Sequence, residues 1–169
     1  LLVVATIPVV IAGLLLYSTD FYATLKDPTS KIALKVIGWT TLVYGVILYI
    51  ADRFSPYDRE LKDWGWASAT IMGLAQALSL IPGTSRSGIC MTAARFLGFD
   101  RRESARIAML MAIPTILAAG ALLVKDLLET GDTTLTTDAA IAAVLSFASA
   151  YAALALMMRW LANATFTPF

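Results

Sequence analysis

The sequence predicts an all-α integral membrane protein, a transmembrane helix bundle that carries a re-entrant helical hairpin. Three observations lead there. Apolar residues make up 59% of the 169 residues and charged residues only 15%, and the apolar ones fall in blocks of roughly 16 to 23, the length of a bilayer span. Segments such as residues 105–124 are apolar around their whole circumference, where a soluble helical domain would show amphipathic stripes. Finally, Pro82-Gly-Thr-Ser-Arg-Ser-Gly88 is a polar turn with apolar sequence running away on both sides.

The elements follow in order. Residues 1–16 read as the remainder of a spanning helix, and 17–31 as a polar connection in which Asp27-Pro28-Thr29-Ser30 breaks one helix and caps the next. Residues 32–51 form a second span. Residues 52–63 are charged, contain Pro56 and read as a loop. Apolar arms at 64–81 and 89–99 flank the turn at 82–88. Asp100 with Glu103 has capping-box spacing and opens a helix from Ser104 to about Leu128, kinked at Pro114. Residues 131–138 read as a loop and 139–161 as a last complete span. Gly38, Gly45 and Gly73 suggest close helix packing.

The stretch 64–99 fixes the architecture. Its second arm offers about a dozen residues, roughly 18 Å of helix against a hydrocarbon core of about 30 Å, so it cannot cross alone. A single helix across the whole stretch fails because Pro82-Gly83 and Gly88 break it. A re-entrant hairpin remains, and its irregular tip must be packed in protein or line a wet cavity. On this topology one side collects Arg53, Arg59, Lys62, Arg101, Arg102 and Arg159, while the other holds Lys26, Lys31 and Lys125. The positive-inside rule then puts the first side in the cytoplasm, with Trp64, Trp66 and Trp160 at that interface and Tyr17, Phe21 and Tyr22 at the outer one.

The turn is built to hold an anion. Gly83 and Gly88 permit close backbone approach, and a half-helix starting near Ser87 points its positive end at the same spot. Thr84, Ser85 and Ser87 add hydroxyls, Arg86 adds a planar fork, and nothing acidic is near in sequence. An arginine at membrane depth is costly without a partner. A phosphate or diphosphate fits; the bland alternative pairs Arg86 with backbone carbonyls or a distant carboxylate. The spacing is not a nucleotide P-loop, because Ile89-Cys90 stand where Lys and Ser or Thr belong. Other classes are excluded by composition. A formal net charge of +1 gives no footing for nucleic acid, one cysteine leaves no internal disulfide, and without histidine no zinc site has ligands. Residues 1–16 lack the features of a signal peptide, and the chain reads as cut from a longer one.

At these residues the sequence resembles the second half of the undecaprenyl-diphosphate phosphatase, or bacitracin-resistance, family. The resemblance is carried by Gln76 through Gly88, Leu97-Gly98, Arg102-Glu-Ser-Ala-Arg106 and Ala112-Ile-Pro114, with Ile7-Pro8, Gly13-Leu14 and Phe166-Thr-Pro-Phe169 as weaker matches. It implies a multi-pass enzyme of the bacterial plasma membrane, with two inverted repeats that each carry a hairpin and an active site facing outward. The implied reaction converts undecaprenyl diphosphate to undecaprenyl phosphate and phosphate, recycling the lipid carrier of cell-wall synthesis and conferring bacitracin resistance. It implies Arg86 and Ser85 as catalytic residues, and Gly83, Thr84, Ser85, Arg86, Ser87 and Gly88 as diphosphate ligands, with Gln76 behind them. A Glu-rich motif, a histidine and the ligands of a divalent cation, magnesium or calcium, belong to the family's first repeat. No Glu-x-x-x-Glu and no histidine occur in this sequence, so the chain reads as one membrane domain, 1–169, lacking the first repeat and last helix and inactive by itself.

The expected partners are a polyprenyl diphosphate lipid and the membrane, with a homo-oligomer left open. Cys90 and Met91 read as packing residues, Asp126, Glu129 and Asp132 as a solvated face, and Arg95 as snorkelling or pairing with Asp63. Two other functions compete: half of an anion transporter built from broken helices, and a non-catalytic subunit that binds the lipid.

Overall fold

The computed structural model describes residues 1–17, 30–130, 133–161 and 165–167. Among them lie six α-helices and no strand: α1 (Leu2–Tyr17), α2 (Lys31–Phe54), α3 (Trp66–Ala77), α4 (Arg86–Phe96), α5 (Arg101–Thr130) and α6 (Thr133–Trp160). Short 3-10 turns at Leu61–Asp63 and Leu78–Leu80 lead into and out of α3.

Local chemistry sets the boundaries. α2 starts where Ser30 accepts the Ala33 N–H at 3.5 Å, as the predicted cap requires; residues 18–29 of that connection lie outside the described residues. α5 starts at Arg101, with the Asp100 carboxylate accepting the Glu103 N–H at 2.8 Å. Only half of the expected capping box forms, because the Asp100 N–H goes to the Arg59 carbonyl and the Glu103 carboxylate to Arg106 at 3.5 Å.

Two predicted loops are partly helical. α2 continues through Asp52, Arg53 and Phe54, since Asp52 is buried against arginines and its charge gives the helix no reason to stop. α6 begins at Thr133, inside the stretch 131–138 predicted as a loop.

Residues Lys31–Phe54 and Thr137–Trp160 are long and apolar enough to cross a membrane, and only 6% and 0% of their most apolar windows are buried within the chain. The core helix of a soluble domain would be buried instead, and these outward apolar faces are those of a membrane protein.

The core gathers where α1, α3, α4 and α5 meet, around Ala5, Ala69, Met72, Ile89, Cys90, Ala94, Ala105, Ile107, Ala108 and Met111. α1 lies against α3 at Gly73, where a Cβ would sit 2.9 Å from the Ala5 Cα; only glycine permits that approach. Gly38 and Gly45 have nothing within 4 Å of a would-be Cβ, so the packing role expected for them falls to Gly73. Trp64, expected at an interface, is 9% exposed in the core, while Trp66 and Trp160 are exposed.

α3 and α4 form a hairpin of helices of 12 and 11 residues, roughly 18 and 16 Å long at 1.5 Å per residue. Its two ends are tied together. The Arg59 N–H donates to the Gly98 carbonyl at 3.1 Å and the Asp100 N–H to the Arg59 carbonyl at 3.2 Å, an isolated parallel bridge between Arg59 and Phe99. Gly98 makes the intervening turn possible with φ of 88°.

Candidate diphosphate site at the hairpin tip

Ile81, Pro82, Gly83 and Thr84 make a tight turn closed by the Thr84 N–H on the Ile81 carbonyl at 3.1 Å. Proline second and glycine third, with Gly83 at φ 87°, is the type II pattern. Glycine is demanded twice over there, since a Cβ would also press on Thr40 Oγ1 and sit 2.7 Å from the Ile37 Cα. α2 grips the turn from that side. Thr40 Oγ1 donates to the Pro82 carbonyl at 2.8 Å and Thr41 Oγ1 to the Gly83 carbonyl at 3.1 Å.

Ser85 then caps α4, its Oγ accepting the Gly88 N–H at 3.2 Å and lying 3.3 Å from Ser87 Oγ. The N–H groups of Arg86 and Ser87, in the first turn, have no acceptor inside the helix. They and the dipole present a positive end, beginning at Arg86 rather than near Ser87 as the sequence suggested.

Beside this end lies a cavity of about 260 Å³, whose lining includes Thr41, Tyr44, Gly45, Gly83, Ser85, Ser87, Gly88, Met109, Met157 and Phe166. Among the described residues its lining joins hydroxyls and glycine backbone to the apolar side chains of Leu48, Ile89, Met91, Met109, Met157 and Phe166, with no carboxylate. The volume is just below the range of drug-sized pockets, suiting a head group rather than a whole lipid.

Of the residues singled out from sequence, Gly83, Ser85, Ser87 and Gly88 line this cavity, while Thr84, Arg86 and Gln76 do not. Thr84 is buried with its Oγ1 unpartnered among the described residues. Gln76 is fully buried between α3 and α4, with Oε1 3.7 Å from Cys90 Sγ and Nε2 unpartnered among the described residues. Cys90 packs as expected.

Arg86 turns toward α5, where Nη2 donates to the Met111 carbonyl at 3.0 Å. Pro114, three residues on, brings no N–H, so in the same turn it is the neighbouring Leu110 carbonyl that lacks its helical donor, while the Met111 carbonyl takes the guanidinium as an additional donor. This is the carbonyl pairing weighed above as the bland alternative, and it uses one of the five guanidinium N–H groups.

Arg95 is different. It is fully buried, and its partner is Asp52 at 3.4 Å, not Asp63, whose carboxylate accepts the Glu60 N–H. The Arg95 guanidinium also donates to the carbonyls of Pro56 and Ser55, each at 3.0 Å, of Asp52 at 3.4 Å, and of Phe99. It lies 4.1 Å from the Tyr57 ring centroid. Arg101 joins the same carboxylate at 2.8 Å. On the exposed loop nearby, Lys62 is held above the ordinary lysine range by its hydrogen bond and charge contact with Glu60.

Sequence reasoning missed Thr40, Thr41, Tyr44 and Phe166. The threonine pair carried a signal, two hydroxyls in an otherwise apolar span. The residues expected as an acidic face lie partly outside the described side chains, which include Glu129, 3.6 Å from Lys125. No cluster of three metal-ligating side chains occurs among the described residues, so these do not by themselves fit a divalent cation.

The family model described as "Bacitracin resistance protein BacA" matches residues 1–169. A protein of Ruegeria sp. (strain TM1040) named undecaprenyl-diphosphatase is 55% identical over 99% of this chain and 61% of its own length. One of Jannaschia sp. (strain CCS1) with the same name is 50% identical over 100% of the chain and 61% of its length. Undecaprenyl-diphosphatase 1 of Rhodospirillum rubrum is 42% identical over 100% of the chain and 58% of its length. The chain thus spans about three-fifths of the length of these relatives.

Proposed function

The chain belongs to the bacitracin resistance protein BacA family, and on that footing we propose that the full-length protein hydrolyses undecaprenyl diphosphate to undecaprenyl phosphate and inorganic phosphate. The observation that carries the site assignment is the cavity at the start of α4. Its lining combines Ser85, Ser87, Thr41 and Tyr44 with the backbone of Gly83 and Gly88 and, among the described residues, contains no acidic side chain, which suits an anion at the positive end of α4.

In this reading the diphosphate settles at the free N–H groups of the first turn of α4 and the two serine hydroxyls. Arg86 exchanges the Met111 carbonyl for phosphate oxygens. The exchange is favourable because the planar guanidinium fork gains an opposite charge and can bind two phosphate oxygens in place of one neutral carbonyl. Water attacks the terminal phosphorus, the bond to the bridging oxygen breaks, and the charge that develops meets donors already in place. The group that activates the water, and the ligands of any divalent cation, come from outside this chain.

The hairpin is read as re-entrant, half of an inverted repeat. The tie between Arg59 and Phe99 at its two ends supports a return to the starting side, and the arginines gathered there support a cytoplasmic location in the bacterial plasma membrane. The tip then faces a cavity open to the outer side. An apolar groove of about 600 Å³ between α5 and α6 shares Met109 with the cavity and offers the prenyl chain a course.

The test is phosphate release from undecaprenyl diphosphate by the full-length protein in detergent. Release by the wild type and its loss in Arg86→Ala support the proposal. Binding without release points to a lipid-binding subunit, and anion uptake into vesicles without release points to a transporter; either would overturn it.

A further inference from the structure

Asp52, near the end of α2, is 3% exposed, and both of its side-chain oxygens are engaged. Oδ1 takes Arg101 at 2.8 Å and Arg95 at 3.4 Å. Oδ2 accepts the backbone N–H of Phe166 at 3.1 Å, from a residue 114 positions along the chain. Phe166 is itself buried and forms part of the cavity lining that includes Ser85 and Ser87. A buried carboxylate needs hydrogen bonds on its remaining lone pairs as well as opposite charge. The second oxygen is left for one structural task, holding the chain at residue 166.

We infer that Asp52 is a positioning residue: clamped by Arg95 and Arg101, its carboxylate pins the Phe166 backbone and so sets one wall of the cavity at the hairpin tip. The carboxylate touches no reacting atom. It acts through the ring of Phe166, which shapes the space beside Ser85 and Ser87. The kinetic part of this inference rests on the reading of the cavity as the diphosphate site; the anchoring part stands on the contacts alone.

Asp52→Asn separates the two tasks at nearly constant size. The arginines, as charged donors, claim the remaining oxygen, and the new amide N–H then faces the Phe166 N–H, donor against donor. In the full-length enzyme this variant is expected to raise KM about tenfold with kcat nearly unchanged, the mark of lost uniform binding. Arg101→Gln loosens the clamp but leaves a charged Asp52 that still accepts the Phe166 N–H, so its KM is expected to rise clearly less than that of Asp52→Asn. An equal rise in KM for both variants would reduce Asp52 to general scaffolding and overturn the assignment.

A second readout needs no substrate. In a Cys90→Ala background, the thiol introduced by Phe166→Cys is expected to react with a maleimide about tenfold faster once Asp52→Asn is added, since opening then becomes cheaper by one anchoring hydrogen bond. Equal labelling rates would overturn the anchor. A wild type that releases no phosphate would instead remove the diphosphate reading and leave the labelling result to decide the anchor.

Discussion

Arg86 and Arg95 sit nine residues apart on the same short helix, and they illustrate two ways for a guanidinium to survive away from water. Arg95 is fully buried and spends its Nη donors on four carbonyls, with Nε 3.4 Å from the Asp52 carboxylate and Tyr57 stacked on its face. Arg86 is half-buried and, among the described residues, makes one bond, to the neutral Met111 carbonyl. An arginine within a membrane protein is by default a functional hypothesis. The comparison sharpens that rule: the candidate is the arginine with most of its donors to spare, whereas the one paired with a carboxylate and bound to four carbonyls holds the frame.

Exchanging each for methionine is the strongest way to break the comparison. Arg86→Met in the full-length protein is expected to lower kcat/KM for undecaprenyl diphosphate by about a thousandfold, as loss of a charge-stabilising arginine does, with thermal stability little changed. Arg95→Met is expected to do the reverse in kind. It strips Asp52 of a buried partner and orphans carbonyls, costing about 3 to 5 kcal/mol, seen as a loss of monodisperse protein on size exclusion and a lower Tm. If the two variants behaved alike, the distinction between tip and root would be lost.

Gly83→Ala comes next. The positive φ and the pressure on Ile37 and Thr40 are expected to cost about 1 to 3 kcal/mol, measured as a fall in Tm, with activity falling as α2 is pushed from the turn. Ser85→Ala is smaller in stability, about 1 kcal/mol for a lost helix cap, but it also removes a hydroxyl from the cavity, so KM should rise while the fold persists. Lys62→Met marks the lower limit: that pair is exposed on both sides, and no change in either readout is expected.

The sequence-based account reached the helices and the tip because both are written in short-range terms. Pro82-Gly83 dictates a turn, Ser30 and Asp100 cap helices, and unbroken apolar runs make long helices. It failed where partners are remote in sequence. Asp52 looked like the first residue of a loop because a lone carboxylate after an apolar span normally meets water. Its arginine partners lie 43 and 49 residues away. The cavity wall was equally hidden, because Thr41, Tyr44 and Phe166 gain their meaning only from the packing of α2 and the terminal segment around the tip. Trp64 obeyed core packing rather than interface preference for the same reason.

The central claim is that the guanidinium of Arg86 leaves the Met111 carbonyl for phosphate oxygens. Calorimetric titration of the full-length protein with inorganic pyrophosphate, comparing wild type with Arg86→Gln, addresses it without the lipid tail or turnover. The account predicts binding by the wild type and a Kd at least about tenfold weaker in the variant. Equal affinity in both would mean that the arginine stays on its carbonyl and plays no part in holding the anion.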